Sequence, residues 1–164
     1  MAEDARQSRT VLNRHTYVPH YVMITANALA AGASRLYRNH FDLGINEGRI
    51  TAVLGHEPDR TALEIGNAVA MNKSIISRSL HTLLERGLVS QSGGGRGRRY
   101  RLTEAGERVH DAVVRMSLDR EALLLQGIDD AERSTLLRLL GRMLDNVTEM
   151  NSYVPVIAKT RPVE

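Results

Sequence analysis

The stretch TALEIGNAVAMNKSIISRSLHTLLERGLVSQSGGGRGRRYRLTEAGE, residues 61–107, carries the signals that decide the fold. Thr61 with Glu64 three residues on has the form of a capping box, which opens a short helix turning Ile65 and Val69 inward. Ala70 and Met71 make a tight turn, Asn72 is placed to cap a further helix running to Arg86, and Gly87 stands where a left-handed residue closes a helix. Two helices joined by about four residues describe a helix-turn-helix. On the second helix Ile76, Leu80, Leu83 and Leu84 form an inner stripe, and Ser74 and Arg78 fall nearly opposite, flanked by Ile75 and His81. Any solvated helix shows a polar outer face. This one is free of acid over most of its length and runs straight into an arginine-rich segment.

That segment reads as a hairpin. Leu88 and Val89 form a short strand, Ser92 to Gly97 a tip, and Arg98 to Leu102 the returning strand, with Tyr100 and Leu102 on one face and Arg99 and Arg101 on the other. Thr103 then caps the next helix. Glycines at the tip permit positive φ and close approach to a backbone, while Arg96, Arg98 and Arg99 offer forked donors to phosphate or to a narrow minor groove. Phosphate-loop readings fail on particulars: no G-x-x-x-x-G-K-[ST] occurs, and G-x-G-x-x-G would need glycine where Arg98 stands. The hairpin is a wing.

The remaining sequence supports this frame. A chain of 164 residues, 42% hydrophobic, with one Phe, five Tyr and no Trp, suits a single helix-rich unit. No run of about 18 apolar residues occurs and the N-terminal MAEDARQSRTVLNRH is polar, so neither a membrane span nor a secretory signal is expected, and the protein is placed in the cytoplasm. The absence of cysteine excludes disulfides, thiolate catalysis and Cys-ligated zinc. The net charge of +3 is unevenly spread: residues 60–101 hold eight basic and two acidic residues, a local charge of +6, which leaves −3 for the rest. A basic middle is a polyanion site.

Outside the middle, Pro19 opens a long helix to about Phe41 with Val18, Val22, Thr25, Leu29, Gly32 and Leu36 on one face, and small residues cluster from Ala28 to Ala33. Asn46 is a candidate cap for a second helix, Glu47 to Leu54, ended by HEPDR through Pro58. After Thr103 a helix runs to about Gln126, Gly127 breaks it, and Asp129 with Glu132 makes another capping box. The last helix spaces Leu136, Leu140, Met143, Val147 and Met150 by four and three, with Leu137 and Leu144 widening the seam. So much apolar helix needs a partner. Packing within the chain is one solution; a homodimer interface, joining this seam to Val22 and Leu29 of the first helix, is the one that recognition of palindromic DNA requires. The expected fold class is mainly α, an α+β winged helix of about six helices and a small β-hairpin wing, dimeric through its N- and C-terminal helices. Residues 1–42 are the arm and first dimerisation helix, 43–103 the DNA-binding lobe and 104–164 the C-terminal dimerisation helices and tail, within one chain.

This order of elements resembles the MarR family of winged-helix transcriptional regulators over about residues 15–151. Its most specific parts are MNKSIISRSLHTLLERGLV, which looks like that family's recognition helix and its close, and RLTEAGE, which looks like the segment after its wing. The resemblance places Asn72, Lys73, Ser74, Ile75, Ser77 and Arg78 at recognition-helix positions and Arg96 at the wing tip. Gly94 stands where the family's wing carries an aspartate, and Ala70 where its turn often has glycine. The resemblance implies a dimeric regulator, most often a repressor, that leaves its operator, expected to be palindromic, when a small molecule, commonly phenolic or an aromatic carboxylate, enters a crevice between dimerisation helices and DNA-binding lobe. His20, Arg35, Tyr37, His40 and Arg49 lie on elements that would line such a crevice. An enzyme is not expected, nor a cofactor: the six histidines show no metal spacing such as H-E-x-x-H, and no G-x-S-x-G is present. Two alternatives stay open, a constitutive architectural DNA-binding protein without ligand and a regulator that senses metal through His and carboxylate ligands.

Overall fold

Six helices and three short strands follow one another in the computed structural model, which describes residues 11–155 apart from the Arg96 side chain: α1 (Val18–Phe41), α2 (Ile45–His56), β1 (Arg60–Thr61), α3 (Ala62–Ala68), α4 (Lys73–Glu85), β2 (Val89–Ser92), β3 (Arg99–Leu102), α5 (Glu104–Leu124) and α6 (Asp130–Ser152). This is the winged helix that residues 61–107 announce. The contacts divide the chain into two units, residues up to Ser117 and residues from Leu118.

In the first unit the core collects the inner faces of every element. Leu43, Ile50, Leu54, Ile65, Ile76 and Leu83 are at most 2% exposed. Each contributes about 1.5–3 kcal/mol relative to an exposed position. Ala33 and Tyr37, from the C-terminal half of α1, join them. The first-helix stripe divides accordingly, because Val18, Val22 and Leu29 remain 56%, 39% and 38% exposed. The sheet is antiparallel in the order β1-β3-β2, with Val89 opposite Leu102, Gln91 opposite Tyr100, and Arg60 also opposite Tyr100 from the other side. Tyr100 and Leu102 face the core while Arg99 and Arg101 are exposed, as their alternation requires.

One local expectation is corrected, and two features appear that the sequence did not foretell. The cap of α2 is Gly44, in extended conformation and without a side-chain bond, in place of Asn46, so the helix starts early enough for Ile45 to pack against the core. The strand β1 leaves no signal in the sequence, because two residues are too short to show an alternation. Ala70 is left-handed at φ 53°, so alanine here is no neutral replacement for glycine. The turn holds it through Met71 N–H donating to the Gly66 carbonyl at 2.9 Å and Ala70 N–H to the Asn67 carbonyl at 3.3 Å.

Two glycines let backbones meet. A Cβ on Gly48 would overlap the Tyr37 ring, so α1 and α2 cross there, and one on Gly106 would overlap the Leu88 carbonyl oxygen. That oxygen accepts from Thr103 N–H at 3.1 Å, and the Thr103 hydroxyl donates to the Gly87 carbonyl at 2.7 Å while accepting from Gly106 N–H at 3.1 Å. The start of α5 is thereby pinned to the root of the wing. In the second unit α6 opens with the capping box of Asp129 and Glu132, Arg133 pairs with Glu121 at 3.0 Å, and no α6 residue is buried. Leu136, Leu140, Met143, Val147 and Met150 are 37–61% exposed in the single chain.

Two substitutions should act in opposite directions on the denaturant midpoint. Gly106→Ala should lose about 2 kcal/mol, since overlap with a fixed carbonyl outweighs the better helix propensity of alanine. Ala70→Gly should gain about 0.5 kcal/mol, the relief of left-handed strain less the added freedom of the unfolded chain.

Candidate nucleic-acid interface

The recognition surface follows from how α4 is seated. Ile76, Leu80 and Leu83 are buried to 2% or less, and at 100° per residue that turns Lys73, Ser74, Ser77, Arg78 and His81 outward. Ser79, 3% exposed, completes the inner face, and nothing in its polarity announced that. The helix begins where expected: the Asn72 side chain accepts from Ile75 N–H at 3.0 Å. Asn72 is therefore spent on its cap oxygen, and Ile75 is half-buried. Gly66 admits the turn, because a Cβ there would stand 3.2 Å from the Met71 carbonyl and 3.4 Å from Ile76 Cγ1.

The basic segment separates into two sets. Four arginines are taken up inside the structure. Arg60 pairs with Glu57 at 3.0 Å and Glu64 at 3.4 Å. Arg86 donates to the Phe41 carbonyl at 2.9 Å and to the Asp42 carbonyl, placing a cation on the C-terminal end of α1. Arg99 donates to the Asp59 carbonyl at 2.7 Å, and Arg101 grips the Asp59 carboxylate with two bonds of 2.8 and 2.6 Å. His81 stands 3.2 Å from Glu85. Lys73, Arg78 and Arg98 have no carboxylate partner among the described residues; Arg78 reaches only the Ser74 carbonyl of its own helix, at 3.4 Å. The Arg96 side chain lies outside what is described, and its backbone forms a short 3₁₀ turn, Gly95–Gly97, flanked by left-handed Gly93.

Two of these cations, Lys73 and Arg98, share one cleft, which Arg78 does not line. The cleft, of about 720 Å³ between α3, α4 and the wing, is lined by Lys73, Ser77 and His81 of α4 and by Gly95 and Arg98 of the wing. Helix and wing thus bound one concavity whose free charges are positive. That shape and sign suit a phosphate backbone passing from a groove read by the helix to a groove reached by the wing.

The five polar residues considered for an effector are placed differently. Tyr37 is 8% exposed, packs against Gly48 and is part of the core. Arg35, His40 and Arg49 are exposed and His20 is half-buried, edge-on to Tyr21 at 5.7 Å. None of the five lines the cleft. Among the described residues no three His, Asp or Glu side chains converge as a metal site would need.

No protein-family model matches the chain. Solved structures do. The chain is similar to a MarR/EmrR family transcriptional regulator from Acinetobacter sp. ADP1, with TM-score 0.78 and 26% identity over 84% of this chain and 99% of that one. It is similar to a MarR family transcriptional regulator from Silicibacter pomeroyi, with TM-score 0.72 and 26% identity over 88% and 96%. The PcaV transcriptional regulator from Streptomyces coelicolor, crystallised with its natural ligand, shares the fold at TM-score 0.71 and 19% identity over 84% and 99%.

Beneath this surface, Glu64 closes the α3 capping box by accepting from Thr61 N–H at 2.7 Å and from the Thr61 hydroxyl at 2.8 Å. Those two bonds, aided by Arg60 and Arg99, hold its pKa below the ordinary 4.5. Its contribution to stability is therefore complete above that ordinary value and is lost as pH falls through the lowered one. Acid titration of Glu64→Gln by circular dichroism should show a shallower loss of stability below pH 4.5 than the wild type.

Proposed function

We propose that the chain is a winged-helix transcriptional regulator like those of the MarR family to which it is similar, a homodimeric repressor that binds a palindromic operator and is released by a small anionic aromatic molecule. The observation that carries the reading is the cleft that brings Lys73 and Ser77 of α4 together with Arg98 of the wing, all without carboxylate partners among the described residues. Ser74, Ser77 and Arg78 face base edges; Lys73, Arg98 and Arg96 take phosphates. Arg99 and His81, already engaged with Asp59 and Glu85, contribute less than their positions in the sequence imply. No described helix is long and apolar enough to cross a membrane, which accords with action on DNA in the cytoplasm.

Dimerisation is supported by the exposed seam of α6 and by Val22 and Leu29 of α1. One lobe has a small footprint, and two lobes related by a two-fold axis read half-sites one helical turn apart. An anionic effector is suggested by Arg35, His40 and Arg49, exposed on α1 and α2, and by half-buried His20 near the start of α1. Such a molecule acts by preferring the conformation whose recognition helices miss successive grooves, and tenfold release needs about 1.4 kcal/mol of that preference.

Arg98→Ala should weaken binding to all duplexes alike and lower the salt slope by about one unit, whereas Arg78→Ala should cost about 1–3 kcal/mol on the operator alone. Replacing Leu140 and Val147 together by Asp should give helical monomers in sedimentation that no longer bind operator; a variant still dimeric would move the interface elsewhere. The bound complex should release when titrated with benzoates or cinnamates in fluorescence anisotropy, with peroxide as control. Indifference to every compound would favour an architectural protein without ligand.

A further inference from the structure

The wing, residues 89–102, carries four arginines and no acidic residue. Like charges so close repel, and the wing has nothing of its own to orient them. The counter-charge comes from outside it. Asp59, between α2 and β1, accepts two bonds from Arg101 through its carboxylate and one from Arg99 through its carbonyl. It does so from a left-handed backbone, φ 60°, a conformation that only a few residue types adopt readily. Asp59 is followed directly by β1, which pairs with β3 through Arg60 opposite Tyr100, and by Thr61, which caps α3. The carboxylate thus ties the outer face of the wing to the start of the helix-turn-helix across three consecutive residues.

The pair is too exposed to serve mainly for stability. The Arg101 and Asp59 side chains keep 58% and 39% of their surface in water, where an ion pair adds little. A forked, two-bond contact fixes direction instead. We propose that Asp59 is a positioning residue for DNA recognition: by clamping Arg101 and Arg99 it sets the angle of the wing to α4, so that Arg98 reaches DNA while the helix is seated in its groove. The inference rests on the DNA-binding reading and names a residue that touches no DNA.

Charge alone and positioning make opposite forecasts. Asp59→Asn removes a negative charge beside the interface and keeps a residue that tolerates the left-handed backbone. If only charge mattered, every duplex would bind more tightly. Positioning requires that selectivity fall. The probes are a duplex selected by the wild type from a randomised pool and a scrambled duplex of the same composition, both measured over a range of salt. Asp59→Asn should bind the selected duplex about tenfold more weakly and the scrambled one as well as or better than wild type, and Arg101→Gln should repeat the loss, with the double variant no worse than either. In the DNA-free protein, amide exchange should quicken at residues 60–61 and 99–102 and stay unchanged across α4. An unaltered selectivity ratio, additive losses in the double variant, or a proportional loss on both duplexes with faster exchange throughout would overturn the proposal. Should the wild type select no duplex at all, the operator reading fails by itself, and exchange at residues 99–102 still decides whether Asp59 holds the wing.

Discussion

The seating of Ile76, Leu80 and Leu83 is the constraint from which the rest of the surface follows. These three side chains are almost entirely removed from water, against residues drawn from α2, α3 and the strands. A helix rotated even 100° would bring a charged or hydroxyl side chain into the core, at a cost of several kcal/mol for an unpaired cation. The burial therefore fixes which residues face outward. Recognition chemistry is a by-product of packing in this sense: Arg78 points out because Ile76 and Leu80 point in.

Arginine serves two purposes in this chain, and they have one physical origin. Its planar fork binds carboxylates and carbonyls as well as phosphates. Arg60, Arg86, Arg99 and Arg101 spend that capacity on Glu57, Glu64, the end of α1 and Asp59. Lys73, Arg78 and Arg98 keep theirs for a polyanion. The +6 of residues 60–101 is a true measure of charge but an overestimate of the charge available to DNA.

The second unit presents a different balance. Its long helix starts at a complete capping box and carries a regular apolar seam, yet none of its residues is buried. A helix of 23 residues gains little from propensity alone, and in proteins such a face normally finds its stability in packing. A second copy of the chain supplies that packing in the proposed dimer, and the same contact would set the spacing of two recognition helices on one face of a duplex.

By itself the sequence determined the elements whose signals are local. The capping boxes of Thr61 and Asp129, the Asn72 cap, the left-handed close at Gly87 and the two-residue alternation of Tyr100 and Leu102 each depend on neighbours within a few positions, and each appears in the structure as read. What tertiary structure decided depends on partners far along the chain. The strand β1 exists because β3 offers it a ladder some 40 positions away, and Asp59 matters because Arg101 lies 42 residues distant. Tyr37 became core when α2 placed Gly48 beneath its ring, and Ala70 took a left-handed backbone in the turn between α3 and α4. Periodicity reports which face of an element is apolar; it says nothing of which charged group another element will bring to meet it, since ion pairs and glycine contacts leave no period in the sequence.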